Sequence, residues 1–251
     1  MMVRDGAAGF EVLMLRRNLN SDFVGGAYVF PGGGVDAADG TSTAEHRVEG
    51  LNDARASARL GLDSGGLAYY VACLRELFEE AGLLVARDDA GAMVRFDDEA
   101  TTARFAAHRR AVNDGTQRFL DVVSEENLRL DLSALEYVAH WVTPVGPPRR
   151  YDTRFFVALA PLAQSAAHDA HETVADEWIA PRDALARHRR GELEMIFPTI
   201  RNLEAIAELP DAASVLAYAR SLSTIARIEP RIVQRDGAMA ILVPGDDGYD
   251  Q

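Results

Sequence analysis

Hydrophobic and polar positions repeat with period two in some stretches of the chain and with helical spacing in others. The switches between them outline the elements. Met2-Val3-Arg4 and Phe10 to Leu15 read as two strands of a hairpin across the turn Asp5 to Gly9. The first of them is short, as though clipped, which leaves a longer N-terminus open. Tyr137 to Pro144 alternates and is rich in β-formers, and Arg149 to Leu159 returns beside it after Gly146-Pro147-Pro148. Val71, Leu74, Phe78 and Ala81 recur at three and four residues, which predicts a helix within Tyr69 to Val85. Gly82 is placed to end that helix, and Leu83-Leu84-Val85 to leave it as a strand. Helical spacing also appears over Asn52 to Leu60, with an exit at Gly65-Gly66. Asp97 to Asn113 and Thr116 to Asn127 read as helices too polar to form a core of their own. They are expected to pack on the main body or over a substrate. Pro181 opens a helix to Arg190 as a first-turn proline. Met195 to Leu209 and Ala212 to Ala226 follow as helices, and a small hairpin around Asp236-Gly237 closes the chain.

The charge pattern on the Tyr69 to Val85 helix changes the picture. Glu76, Glu79 and Glu80 stand at i, i+3 and i+4 and share one face, opposite the apolar stripe. Read by itself, the cluster is either a solvated acidic face or a place for a hard divalent ion such as Mg²⁺, which takes carboxylate oxygens and keeps positions for water and phosphate. Arg75 lies one turn before Glu79 and is placed to brace it. The run Phe30-Pro31-Gly32-Gly33-Gly34 offers backbone that can approach a ligand closely.

Together these two stretches resemble the Nudix hydrolase signature, G-x(5)-E-x(7)-R-E-U-x-E-E-x-G-U, with U aliphatic. Arg75 to Leu83 fits its second half at every fixed position, Gly33 fits the opening glycine, and Asp39 stands where the family has Glu. Between Asp39 and Arg75 lie 35 residues, so the box carries an insertion of 28. A split box resembles the acyl-coenzyme A diphosphatase branch. So does Trp141-x-Thr-Pro followed by Arg149-Arg150-x-Asp-Thr-x-Phe-Phe. Leu13, Arg17, Gly26, Phe30, Pro31, Gly32 and Gly33 match a motif of the coenzyme A-cleaving members, whereas Met14, Leu15, Asn18 and Asp22 depart from it. Asp22 replaces an Arg with the opposite charge.

The resemblance implies an α/β fold: a Nudix-type α/β/α sandwich with a mixed sheet. One domain is expected over 1–251, with an insertion at 40–66 and helical elaborations at about 97–132 and 195–226. The insertion reads as a packing or dimer-contact element ahead of a lid. The resemblance further implies Mg²⁺ or Mn²⁺ on Glu76, Glu79 and Glu80, with Arg75 orienting the acids and Glu172 as candidate general base. Asp176 and Glu177 are rivals for the last role. Arg17, Gly32, Gly33, Arg149, Arg150 and Arg154 are expected at the substrate, although the three later arginines would equally serve to neutralise neighbouring acids. His168 and His171 read as solvated rather than as metal ligands. The implied substrate is a small nucleotide, coenzyme A or an acyl-coenzyme A first. ADP-ribose, NADH or another nucleotide diphosphate is the alternative, and a non-catalytic nucleotide sensor the second. A homodimer is an expectation taken from the relatives.

Bulk properties narrow the partners. The chain has 251 residues, 48% of them hydrophobic, and a formal net charge of −13. Such a surface suits neither nucleic-acid backbone nor anionic membrane. The single cysteine, Cys73, falls on the core side of the acidic helix and reads as packing. No apolar run reaches the length of a membrane span and no leader pattern opens the chain, so a cytoplasmic location is expected. No nucleophile-elbow pattern supports a covalent route.

Overall fold

A computed structural model describes residues 1–7, 9–19, 25–146, 149–169, 172–235 and 238–249. The departure at Asp22, the turn at Pro147-Pro148, His171 and the tip Asp236-Gly237 therefore lie outside the described residues.

The strands β1 (Met2–Gly6) and β2 (Gly9–Arg17) form the expected N-terminal hairpin, and β3 (Tyr28–Val29) pairs with the far end of β2. A short 3-10 turn (Ala37–Gly40) leads into the insertion, which holds α1 (Ser42–His46), β4 (Val48–Glu49) and α2 (Asp53–Leu60). The acidic helix is α3 (Gly66–Ala81), followed by β5 (Ala86–Arg87), α4 (Glu99–Asn113), α5 (Phe119–Glu125) and β6 (Arg129–Asp131). Then come β7 (Glu136–Val142), β8 (Asp152–Leu159), β9 (Thr173–Ile179), α6 (Pro181–Arg189), α7 (Phe197–Ile206) and α8 (Ala212–Ser221). β10 (Arg227–Ile228), β11 (Arg231–Arg235) and β12 (Ala238–Leu242) end the chain.

The main sheet runs β10-β7-β8-β1-β2-β3, with β9 on the other side of β2. It is mixed. β1 lies parallel to β8 and β10 to β7, and the other pairings are antiparallel. Side-chain alternation along β2 divides the core. Leu13 and Leu15 join Tyr70, Leu74 and Phe78 of α3 on one face. Val12 and Met14 join Leu185 of α6, Leu203 of α7 and Leu216 of α8 on the other. Helices on both faces of a mixed sheet make the α/β/α sandwich.

The insertion is a packing element. Ala44, Val48, Leu51, Ala56 and Leu60 are buried in the α3-side core, and β4 pairs in parallel with β6. α2 lies so close to α3 that a Cβ on Gly66 would stand 2.3 Å from the backbone nitrogen of Ser57.

Several expected boundaries shift. Leu83-Leu84-Val85 is not a strand: the side chains are buried, and the Gln164 amide takes both backbone groups of Leu84, at 2.8 and 3.0 Å. A side chain thus fills the place of a partner strand, and pairing begins only at Ala86. Gly65-Gly66 does not end the insertion helix. Gly61, left-handed at φ 66°, closes α2, and Gly65 caps the start of α3. β8 begins at Asp152, so Arg149 and Arg150 precede it. β9 begins at Thr173, inside His168 to Asp176, whose polar residues read in sequence as a loop. α5, α7 and α8 are each shorter than their periodicity suggests.

Candidate active site

The site is built where α3 meets the glycine run after β3. Val71, Leu74, Phe78 and Ala81 are all buried, which turns the opposite, acidic face of α3 toward Gly32 to Gly34. Gly82, at φ 70°, ends the helix and returns its N–H to Phe78 O. The Gly32 N–H donates to Glu80 Oε2 at 2.8 Å. A Cβ on Gly33 would meet the Glu76 carboxyl at 2.5 Å, so only glycine admits that carboxyl against the loop.

Arg75 holds the cluster together. Its Nε and Nη2 donate to Asp39, at 3.0 and 3.1 Å to the nearer oxygens, and Nη2 also donates to Gly34 O at 2.6 Å. Its Nη1 donates to Glu76 Oε1 at 2.8 Å and to Glu79 Oε2 at 3.0 Å. Asp39, only 1% exposed, is thus the partner of Arg75 although 35 residues separate them. Burial weakens the hold of Arg75 on its proton. The bond to Asp39 and the Glu76 and Glu79 charges outweigh this, and the guanidinium stays firmly cationic.

Acid outweighs cation in this pocket. Burial pushes the Glu80 carboxyl up to about 8 against the stabilising Gly32 N–H, and Glu76 and Glu172 push the same way. Burial likewise raises Glu76 to about 7, offset in part by Arg75 and reinforced by Glu79 and Glu172. Glu79 is raised in the same direction, again by burial first. Crowded, partly buried carboxyls with one guanidinium among them form a hard-oxygen donor set that in its ionised form carries surplus negative charge, which suits a hard divalent cation. Among the described residues the acids are not drawn into a ready three-ligand cage. Arg75 holds Glu76 and Glu79, and the glycine loop holds Glu80.

Glu172 acts electrostatically on both Glu76 and Glu80. Its rivals are engaged elsewhere, Asp176 with His168 and Glu177 with Arg187. Arg17 lies beside it in the sheet: Arg17 pairs with Thr173, and the next N–H, from Asn18, reaches Glu172 O at 2.9 Å. The Arg17 Nε is buried without a hydrogen-bond partner among the described residues. The later arginines have acidic partners. Arg150 pairs with Glu229 and also donates to Thr143 O. Arg154 pairs with Asp152, itself bonded to His140, and lies 4.5 Å over the Tyr69 ring. Arg149 also has a partner in the structure.

Two residues reach the site without any signal in their local sequence. Arg109 of α4 donates from Nε to Glu79 O at 2.9 Å, and Asp169 acts on both Glu80 and Arg109. Arg109 sits among Arg104, His108 and Arg110 on a polar helix, and no spacing sets it apart from them.

The family model described as NUDT19 Nudix domain matches residues 53–206. The chain belongs to the Nudix hydrolase family. Its similarity to curated members extends over almost its whole length. Acyl-coenzyme A diphosphatase NUDT19 of Xenopus laevis is 26% identical over 280 residues, covering 99% of this chain and 73% of that protein. The Homo sapiens protein of the same name is 28% identical over 275 residues, covering 97% and 73%. The crystal structure of a NUDIX hydrolase from Alicyclobacillus acidocaldarius superposes with a TM-score of 0.65 at 29% identity, covering 90% of this chain and 93% of that one. This enzyme is therefore a Nudix hydrolase of the NUDT19 branch.

Proposed function

We propose that this Nudix hydrolase cleaves the phosphoanhydride of coenzyme A or an acyl-coenzyme A, giving 3′,5′-ADP and phosphopantetheine or its acyl derivative. The observation that carries this is the partly buried acid cluster of α3 set against the glycine loop, in a chain that matches acyl-coenzyme A diphosphatases over almost its own whole length. One water is consumed. Its oxygen bonds to one phosphorus, the bridging P–O bond breaks, and each product leaves as a phosphate monoester.

Glu76, Glu79 and Glu80 would hold Mg²⁺ or Mn²⁺, which when bound supplies positive charge to the diphosphate and to the charge that develops on cleavage. Arg75 keeps Glu76 and Glu79 in register, and the Gly32 N–H holds Glu80. Gly32 and Gly33 bring backbone against Glu80 and Glu76, which leaves the substrate side of the acids uncovered by side chains. Glu172, which lies outside α3 and acts electrostatically on both Glu76 and Glu80, is assigned the proton of the attacking water. Arg17, whose Nε has no hydrogen-bond partner among the described residues and whose backbone pairs with Thr173 next to Glu172, is assigned to substrate phosphate. Arg154 and Arg150 are assigned weaker roles there, because acids already share their charge. Arg149 stays with them as a candidate.

Product analysis by mass spectrometry tests the substrate. The protein would be incubated with Mg²⁺ or Mn²⁺ and a pool of coenzyme A, short and long acyl-coenzyme A, ADP-ribose and NADH. Selective appearance of 3′,5′-ADP is expected. AMP from the other substrates with coenzyme A untouched would shift the assignment to them, with Asp22 as the motive. Tight nucleotide binding with no product would leave a sensor. Glu79→Gln and Glu80→Gln should each lower turnover by about two orders of magnitude with the fold intact. Near-normal rates in both would sink the metal assignment.

A further inference from the structure

The last turn of α3 carries Glu79 and Glu80, and its carbonyls have no partner within the helix. One of them, Glu79 O, accepts two side-chain bonds from α4: Arg109 Nε at 2.9 Å and Asn113 Nδ2 at 3.2 Å. The two donors sit one turn apart on α4, so a single helix face grips a single carbonyl. Gly82 leaves room for the grip, since a Cβ there would stand 3.1 Å from Arg109 Nη1. The other arm of the fork, Nη2, is buried with no hydrogen-bond partner among the described residues. Asp169, Asp176 and Glu80 act electrostatically on this guanidinium. α4 has Phe105 as its one buried side chain among the described residues, stacked on Phe96 at 4.7 Å. Val112 adds only a partly buried contact, so the polar bonds to the Glu79 carbonyl are a main tie between α4 and the end of α3.

Resting on the metal reading above, we infer that Arg109 and Asn113 are positioning residues for the metal-holding acids, fixing Glu79 and Glu80 through the Glu79 carbonyl. Gly32 holds the Glu80 carboxylate and α4 holds the backbone of the same turn. The elaboration between α3 and β7 is then part of the active site, acting through the main chain that carries the acids.

The test is direct Mn²⁺ binding by the whole protein without substrate, read from the electron paramagnetic resonance signal of free Mn²⁺. Arg109→Lys and Asn113→Leu both conserve charge, so altered affinity reports positioning rather than a changed field. Arg109→Lys is expected to weaken Mn²⁺ binding about tenfold and Asn113→Leu several-fold, in the range that outer-shell changes produce. Circular dichroism melts check folding. Should Arg109→Lys fail to fold, Asn113→Leu carries the test from an exposed position. Wild-type affinity in the folded variants would overturn the inference while leaving the metal reading in place. No Mn²⁺ binding by the wild-type protein would remove the metal reading, and this inference with it.

Discussion

Arg75 closes the two halves of the split box on each other. Its guanidinium spends one edge on Asp39 and Gly34 from before the insertion and the other on Glu76 and Glu79 from after it. The residue type matters, because a planar fork satisfies several acceptors at fixed angles where an ammonium would not. Gly33 is the complementary case, a residue present for what it lacks. Gly33→Ala would push a methyl into the Glu76 carboxyl, which Arg75 keeps from moving aside. We expect a fall of about 10²-fold in kcat/KM with a melting temperature close to wild type, checked by steady-state kinetics beside a thermal melt. A large loss of stability with activity retained would refute that reading of the contact. At this scale the sequence was informative. The acids, Arg75 and the glycines are legible because the chemistry depends on type and spacing. Arg109 is not, because its role depends on which helix α4 meets.

Helix ends and close approaches, more than propensity, fix the elements. The insertion is pinned to α3 by Asp53, whose carboxylate accepts from Leu67 N at 2.9 Å and Gly65 N at 3.0 Å. These backbone bonds, Leu67 first, hold Asp53 below its ordinary value of 3.8. The sign follows. The carboxylate stabilises the fold at and above pH 3.8, and that contribution is lost as pH falls through the lower folded value. Asp53→Asn should therefore lower the neutral-pH melting temperature by a few degrees, the size of shift that about 1 kcal/mol gives. It should also flatten the acid limb below pH 4, as melts across a pH series would show. An acid limb unchanged from wild type would mean that Asp53 contributes no such linkage. Where the elements differ from their periodicity, the cause is tertiary. Leu83-Leu84-Val85 reads as a strand because it is a short apolar run, yet Gln164 satisfies Leu84 from 80 residues away. β4 is too short to have a pattern and exists because β6 lies alongside it.

For the whole molecule, charge is the informative quantity. The chain carries −13 overall, yet in the cluster on α3 Glu80 is buried and Glu76 and Glu79 are partly buried. Burying carboxylates in excess of their cations costs stability, which a bound cation relieves. Saturating Mg²⁺ or Mn²⁺ should accordingly raise the melting temperature, by linkage worth about 2.7 kcal/mol at a hundredfold excess over Kd, and chelation should reverse it. Differential scanning fluorimetry with and without chelator checks this. The shift should be reduced in Glu80→Gln, and an equal shift in that variant would place the stabilising ion elsewhere. Among the described residues no helix is long and apolar enough to cross a membrane.

The sequence by itself determined the family, the sandwich, the acidic face of α3 and the glycine loop that meets it. These rest on local periodicity and on spacing within short segments, and both survive in one dimension. It also indicated that the insertion packs, through the helical stripe of α2. Only the tertiary structure showed that Asp39 reaches Arg75 across the insertion, that Asp152 and Glu229 share the charges of Arg154 and Arg150, and that Glu172 acts electrostatically on Glu76 and Glu80 while Asp176 and Glu177 pair with His168 and Arg187. Only it brought Arg109 to the Glu79 carbonyl. The physical reason is common to all four. A side chain's reach is a few ångströms, and which groups fall within it is set by how distant elements pack, a quantity that no local pattern encodes.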